Sequence, residues 1–332
     1  MAEAPTRARF PDVAQADGHY ESFYIKACRP GGGLGAWIRH TVHKRPGEPP
    51  KGSVWLTLFD AAAEGPVATK LTVPASELSA PDGAYIRVDG ARFAPGRAEG
   101  EIATEALEAS WQLRFVDSGE AFHHLPYDFL YRAPLPRTKF LSPHPEARWS
   151  GRLNVGEREI ELDGWPGMVG HNWGAEHAER WVWIHGAGFD DDPDGWFDMA
   201  VGRIKIGPMT TPWVGNGMIS LGGERHRLGG FDRIRSTRVA ESSTSCDFEL
   251  AGKKIKVRGR VAADPTDFVA WVYADPVGPE HQTLNCSISD LELTVERQGR
   301  SPQRLTVAGG AAYEFGSRDT DHGIPVQPYP DG

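Results

Sequence analysis

No apolar run in this chain approaches the roughly 20 residues that a membrane-spanning helix requires, so no integral membrane segment is expected. The first residues, Met1-Ala2-Glu3-Ala4-Pro5, carry no apolar signal region, and the expected location is the cytoplasm. Cysteine is scarce. Cys28, Cys246 and Cys286 show no C-x-x-C spacing and read as small buried apolar residues rather than disulfides or zinc ligands. Runs of Lys and Arg are missing too, and a formal net charge of -9 argues against a nucleic-acid partner.

Familiar catalytic signatures are also absent. The cluster Pro30-Gly31-Gly32-Gly33-Leu34-Gly35 lacks the GK[ST] ending of a phosphate loop and is better read as a hairpin connection. There is no G-x-S-x-G elbow. His171, His177 and His185 do not follow the H-E-x-x-H spacing, so no metal site is expected. Asp190-Asp191-Asp192-Pro193-Asp194-Gly195 resembles a calcium loop, but Val201 stands where such a loop carries glutamate. An acidic hairpin turn is expected there.

What the chain does have is strand periodicity. Leu107, Ala109, Trp111, Leu113 and Phe115 alternate with Glu108, Ser110, Gln112 and Arg114, which is period two despite the helix-like composition. Glu21–Cys28, Ala36–His43 and Ser53–Asp60 read as strands, and turn signals recur along the chain. Trp149–Val155, the Gly156-Glu157 turn and Glu159–Leu162 form a hairpin pattern, echoed later by Phe248–Leu250, Gly252-Lys253 and Ile255–Val257. Residues 124–145 hold five prolines and are expected to be irregular. A chain of 332 residues is too long for a single core. The expected fold is all-β, with two packed antiparallel barrels at 19–165 and 166–317, a loose tail at 1–18 and a polar tail at 318–332.

The functional reading centres on Gly167–Phe189, where three histidines, three tryptophans and two glutamates fall within 23 residues. Trp181, Trp183 and His185 sit at i, i+2 and i+4, so a strand places them on one face and Val182 and Ile184 on the other. An aromatic face ending in an imidazole suggests an apolar pocket with a polar handle. Asp198 shares a strand face with Trp196 and could be a buried carboxylate beside that pocket. His171, between Gly170 and Asn172-Trp173-Gly174, reads as an imidazole on a tight turn, with Glu176 near enough in sequence to pair with it.

These residues carry a resemblance. Gly170-His171-Asn172-Trp173-Gly174, a short spacer, Arg180-Trp181-Val182-Trp183-Ile184-His185 and Phe189 resemble the signature of tocopherol cyclases. More broadly, the chain is similar to the lipocalin-like superfamily that includes carotenoid 1,2-hydratases and cyclases of Diels–Alderase type. The resemblance implies two calycin-type barrels and a large hydrophobic ligand, isoprenoid or polyketide-like. The mechanism expected has the ligand lying against Trp173, Trp181, Trp183 and Trp196, with Asn172 nearby. His171 or His185, helped by Glu176 or Asp198, supplies a proton for cyclisation or hydration without a redox cofactor. A non-catalytic carrier of hydrophobic ligands and a purely structural module are the competing expectations.

Overall fold

A computed structural model describes residues 6–116, 119–207 and 209–330. Among these residues the chain is almost entirely antiparallel sheet, as the alternation implies. One sheet of 12 strands is built from the first half of the chain and one of 10 from the second. One is nearly closed into a barrel and the other is a half-barrel. The first sheet runs Val67–Val73, Lys51–Asp60, Leu34–Lys44, His19–Cys28, Arg158–Gly174, Thr138–Val155, Glu108–Val116, and on through short strands to Leu78–Ser79. The second runs Glu224–Gly229, Val214–Leu221, Asp192–Arg203, Arg180–Phe189, Gln303–Ser317, His281–Arg297, Ile255–Ala262, Ser245–Ala251 and Arg238–Glu241. No described helix is long and apolar enough to cross a membrane.

His19–Cys28 and Leu34–Lys44 are buried at every position. Their inward side chains, among them Phe23, Ile25 and Ile38, fill the core of the first sheet. Their outward side chains, Tyr24 and Trp37, join a second core shared with the other sheet. Trp37, Trp55 and Trp271 meet there, with the rings of Trp55 and Trp271 4.9 Å apart. Each such ring takes about 150–250 Å² out of water, worth roughly 4–6 kcal/mol. Lys26 Nζ donates to the Gly310 carbonyl at 2.6 Å across the same junction. These contacts hold the two sheets together, and the cleft described below opens where they meet.

Several expectations need correction. Arg158–Gly174 is one unbroken strand of the first sheet, so the boundary at 165/166 falls inside it, and the chain changes sheets at 175–179. Thr138–Val155 is a strand although it contains Pro143 and Pro145, within the segment expected to be irregular. Proline cannot donate to a ladder, and the pairing shifts register between Leu141 and His144 and again between His144 and Ala147 to accommodate them. Residues 6–18 are docked rather than loose: Ala8 is buried, and the Arg9 and Phe10 amides donate to Glu21 at 2.8–2.9 Å. Residues 1–5 lie outside the described residues. The C-terminal segment wraps over the surface: Val326 bridges Ala270, and Lys70 Nζ donates to the Pro330 carbonyl at 2.7 Å. Phe189 pairs with Asp192 across the acidic hairpin turn.

Candidate functional site

The strand Arg180–Phe189 divides its side chains as period two requires. Val182 and Ile184 enter the core. Trp181, Trp183 and His185 face the other way, together with the residues paired with them across the ladder: Ala200 and Asp198 on one side, Glu314 and Gly316 on the other. Above this face opens a cleft of about 150 Å³, walled by Trp181, Trp183, Glu314, Tyr273 and Asn216 from the second half of the chain and by Asn172, Thr138, Phe140 and His124 from the first. Pockets for whole drug-sized ligands run to roughly 300–1,000 Å³. This one seats a single ring or a branched alkyl group, and the rest of a large ligand would lie outside.

Both tryptophans are locked by carboxylates. Trp181 Nε1 donates to Glu314 Oε1 at 2.9 Å, and Trp183 Nε1 donates to Asp198 Oδ1 at 3.0 Å. Glu314 also accepts from Asn285 Nδ2 at 3.2 Å and from the Tyr273 hydroxyl at 3.3 Å. Gly316 is required under Trp181, because a Cβ there would lie 2.1 Å from the indole ring. The aromatic wall is therefore fixed before any ligand arrives, which removes part of the ordering cost of binding.

Asp198 is fully buried and gathers three donors. Besides Trp183, the Ser142 hydroxyl donates to Oδ2 at 2.5 Å, and His124 Nε2 lies 3.4 Å from the same oxygen. His124 Nε2 is also 3.1 Å from Ser142 Oγ. Burial pushes the Asp198 carboxyl up, but the charge and hydrogen bond of His124, with further help from His185 and Ser142, outweigh it and hold it below the usual carboxylate range. Burial lowers the His124 pKa, against the pull of Asp198. At neutral pH the pair is thus a carboxylate holding a mainly neutral imidazole at the wall of an apolar cleft. Asn216 Oδ1 is buried without a hydrogen-bond partner among the described residues. His177 also lines the cleft, with Nδ1 2.7 Å from Asp275 Oδ1.

The residues singled out in the sequence fall on two sides of the sheet. Asn172, Trp181 and Trp183 line the cleft, and Asp198 touches it through Trp183 and His124. His171 and Trp173 do not. The segment Gly170–Gly174 is straight strand, not a turn, and its pairing with His19–Cys28 sets His171 beside Phe23, inside the first sheet. Gly170 gives room to a ring rather than a bend, since a Cβ there would lie 2.1 Å from Tyr24. His171 Nε2 is 2.8 Å from Glu21 Oε1, and its ring stacks between Phe23 at 4.0 Å and Trp173 at 4.4 Å. Burial lowers its pKa. Glu176 pairs with Arg137 at 2.7 Å, not with His171. His185 is spent on the Pro145 carbonyl at 2.9 Å, and burial, aided by the Lys26 charge, pushes its pKa to about 4. Trp196 packs with Phe122 and Ala187 beneath the Arg225 guanidinium, away from the cleft.

No local pattern in the sequence marks His124 or pairs His177 with a partner. His124 is adjacent to His123, and His177 gains its carboxylate partner from a position 98 residues away. Glu314 directly follows Gly309-Gly310-Ala311-Ala312-Tyr313, a small-residue run with weak strand signals. A larger polar groove of about 980 Å³ lies over Arg97, Glu99, Glu101 and Arg152. None of its charged side chains is buried, and it is the solvent face of the first sheet.

No protein-family model matches the chain. It is 27% identical, over 323 residues, to an uncharacterised protein of Mycobacterium tuberculosis present in strains CDC 1551 / Oshkosh and ATCC 25618 / H37Rv, covering 94% of this chain and 91% of the relative. Among solved structures, a Nitrosomonas europaea protein provisionally assigned as AttH superposes with a TM-score of 0.58 at 15% identity, covering 96% of this chain and 98% of that one. The fold is a pair of lipocalin-like barrels. Kievitone hydratase from Nectria haematococca is a more distant neighbour, with a TM-score of 0.47 at 10% identity over 91% of this chain and 89% of that one.

Proposed function

We propose that the protein binds an apolar small molecule by one ring or alkene segment in the cleft and hydrates or cyclises it by acid–base chemistry, with His124 moving the proton and Asp198 orienting it. The buried His124–Asp198 pair at the wall of a cleft whose indoles are already fixed carries this reading. A neutral imidazole held by a carboxylate takes a proton from a water or hydroxyl and returns it to carbon, and the carboxylate stabilises the imidazolium formed between the two steps. Trp181 and Trp183 lay their faces against the ring or alkene segment, and an aromatic pair of this kind adds roughly 0.5–1.5 kcal/mol beyond its area burial. The Asn216 amide oxygen suits a ligand hydroxyl. The resemblance to tocopherol cyclases around Trp181–His185 supports an isoprenoid or polyketide-like ligand. His171 and His185 leave this mechanism, because the first is enclosed in the first sheet and the second is committed to a backbone carbonyl.

The depressed pKa of His124 also favours a second reading, a carrier that seats the same ligand and leaves it unchanged. The two separate in one experiment. The lipophilic compound that co-purifies with the protein is extracted and returned to ligand-free protein in H2¹⁸O. An enzyme incorporates ¹⁸O or yields a cyclised isomer of equal mass, and His124→Gln slows this by roughly 10²–10⁴ while still binding. Bound but unchanged compound with the wild type establishes the carrier.

A further inference from the structure

Three side chains from distant parts of the chain meet beside the cleft. His177 comes from the link between the two sheets, Asp275 follows the strand Val269–Tyr273, and His281 opens the strand His281–Arg297. One nitrogen or oxygen from each lies within 4.8 Å of the others. His177 Nδ1 and its backbone amide both reach Asp275 Oδ1 at 2.7 Å. His281 Nδ1 stands 3.8 Å from Asp275 Oδ2, which is too far for a hydrogen bond. The side chains of His281 and Asp275 are 0% and 1% exposed, and that of His177 is 7% exposed.

The polar accounting here does not close. Both ring nitrogens of His281, Nε2 of His177 and Oδ2 of Asp275 are buried without a hydrogen-bond partner among the described residues. One ion shared by the three side chains would satisfy Asp275 Oδ2 and one nitrogen of His281. Two ligands each about 2.0–2.1 Å from a shared ion lie up to about 4.2 Å apart, and the 3.8 Å separation of His281 and Asp275 falls within that limit. Two imidazoles and one carboxylate suit zinc or ferrous iron and do not suit magnesium or calcium. An aromatic wall surrounds the cluster: the Tyr20 ring stacks on His177 at 3.9 Å, and the Trp181 ring lies 5.3 Å from His281.

We propose that His177, Asp275 and His281 bind one divalent transition-metal ion of the zinc or ferrous class. Local spacing conceals this site, because two of its three members lie about 100 positions along the chain from the first. Three protein ligands leave such an ion a position for water or for an oxygen of a ligand. Metal binding displaces the proton shared by His177 and Asp275. The site uses neither His124 nor Asp198, so it stands or falls separately from the proposed chemistry.

Chelator-treated full-length protein is titrated calorimetrically with Zn(II), and with Co(II) followed by visible absorption. One ion binds per chain, and His281→Gln and Asp275→Asn each weaken binding at least tenfold while near-ultraviolet circular dichroism confirms folding. Absence of saturable binding to the wild type, or equal affinity in both variants, overturns the proposal. X-ray absorption of the Co(II)-loaded wild type needs no variant. Two imidazoles in the first coordination shell support the site, and a shell without imidazole overturns it.

Discussion

Two of the imidazole–carboxylate pairs among the described residues resemble each other in composition and differ in access. His171 with Glu21 lies against Phe23 and Trp173; His124 with Asp198 lies against Phe140 and, through Asp198, Trp183. The first pair is closed off by the chain itself, since the amides of Arg9 and Phe10 donate to Glu21 and the Arg9 guanidinium lies 5.1 Å above the Trp173 ring. The second borders an open cleft. The difference shows that a histidine, a carboxylate and a tryptophan make a site only where a neighbouring element leaves them uncovered. Where one covers them, they become part of the fold's stability.

The two pairs should differ most in their effect on turnover. His124→Gln should cost roughly 10²–10⁴ in rate, whereas His171→Gln should leave turnover intact and lower the melting temperature. Loss of rate on both substitutions would mean the two pairs are not functionally distinct. On the enclosed side, Glu21→Leu removes the acceptor of two backbone amides and of His171, and should cost about 3–5 kcal/mol in urea unfolding. A loss below 1 kcal/mol would show that residues 6–18 do not seal the sheet.

Acid sharpens the contrast next. Burial pushes His40 to about 3, with both ring nitrogens unpartnered among the described residues, and His185 to about 4. Both are neutral in the folded protein and titrate near 6.5 once unfolded, so the unfolded chain binds more protons below that pH. Their contribution to stability is intact above pH 6.5 and is lost as pH falls towards the folded values, by up to about 1.4 kcal/mol per pH unit for each histidine. Glu21 acts in the same direction at lower pH. Burial raises its pKa, but the hydrogen bonds of His171 and His19 bring it to about 2, so its contribution, present above pH 4.5, is lost as pH falls through 2. Urea midpoints that stay level from pH 6.5 to 5 would contradict these assignments. The smallest expected effect is that of Gly316→Ala, which pushes the Trp181 ring towards the cleft at a cost of about 1–3 kcal/mol. Binding of an apolar probe such as 1-naphthol should weaken. Unchanged affinity would place the probe elsewhere.

Period two carried most of the fold and half of the site. It reads Leu107–Phe115 as a strand against its helical composition, and the strand runs Glu108–Val116 with Ala109, Trp111, Leu113 and Phe115 buried. It also set Trp181 and Trp183 on the face that lines the cleft. The same rule, applied to Gly170–Gly174, separates Asn172 on the cleft side from His171 and Trp173 on the other. The flanking glycines hid this by suggesting a turn, although they are there because Tyr24 and the Arg137 carbonyl leave no room for a Cβ. His124 was obscured by the prolines around it. The meeting of His177 with Asp275 and His281 depends on sheet pairing across about 100 residues, which local pattern does not encode.

The claim that the cleft, and not the enclosed His171 pair, receives the ligand is tested most directly by the indole N–H resonances of ¹⁵N-labelled protein titrated with 1-naphthol, assigned by single Trp→Phe variants. The indole signals of Trp181 and Trp183 should move together in a saturable way while that of Trp173 stays in place. Movement of Trp173 with Trp181 and Trp183 unmoved would contradict the account.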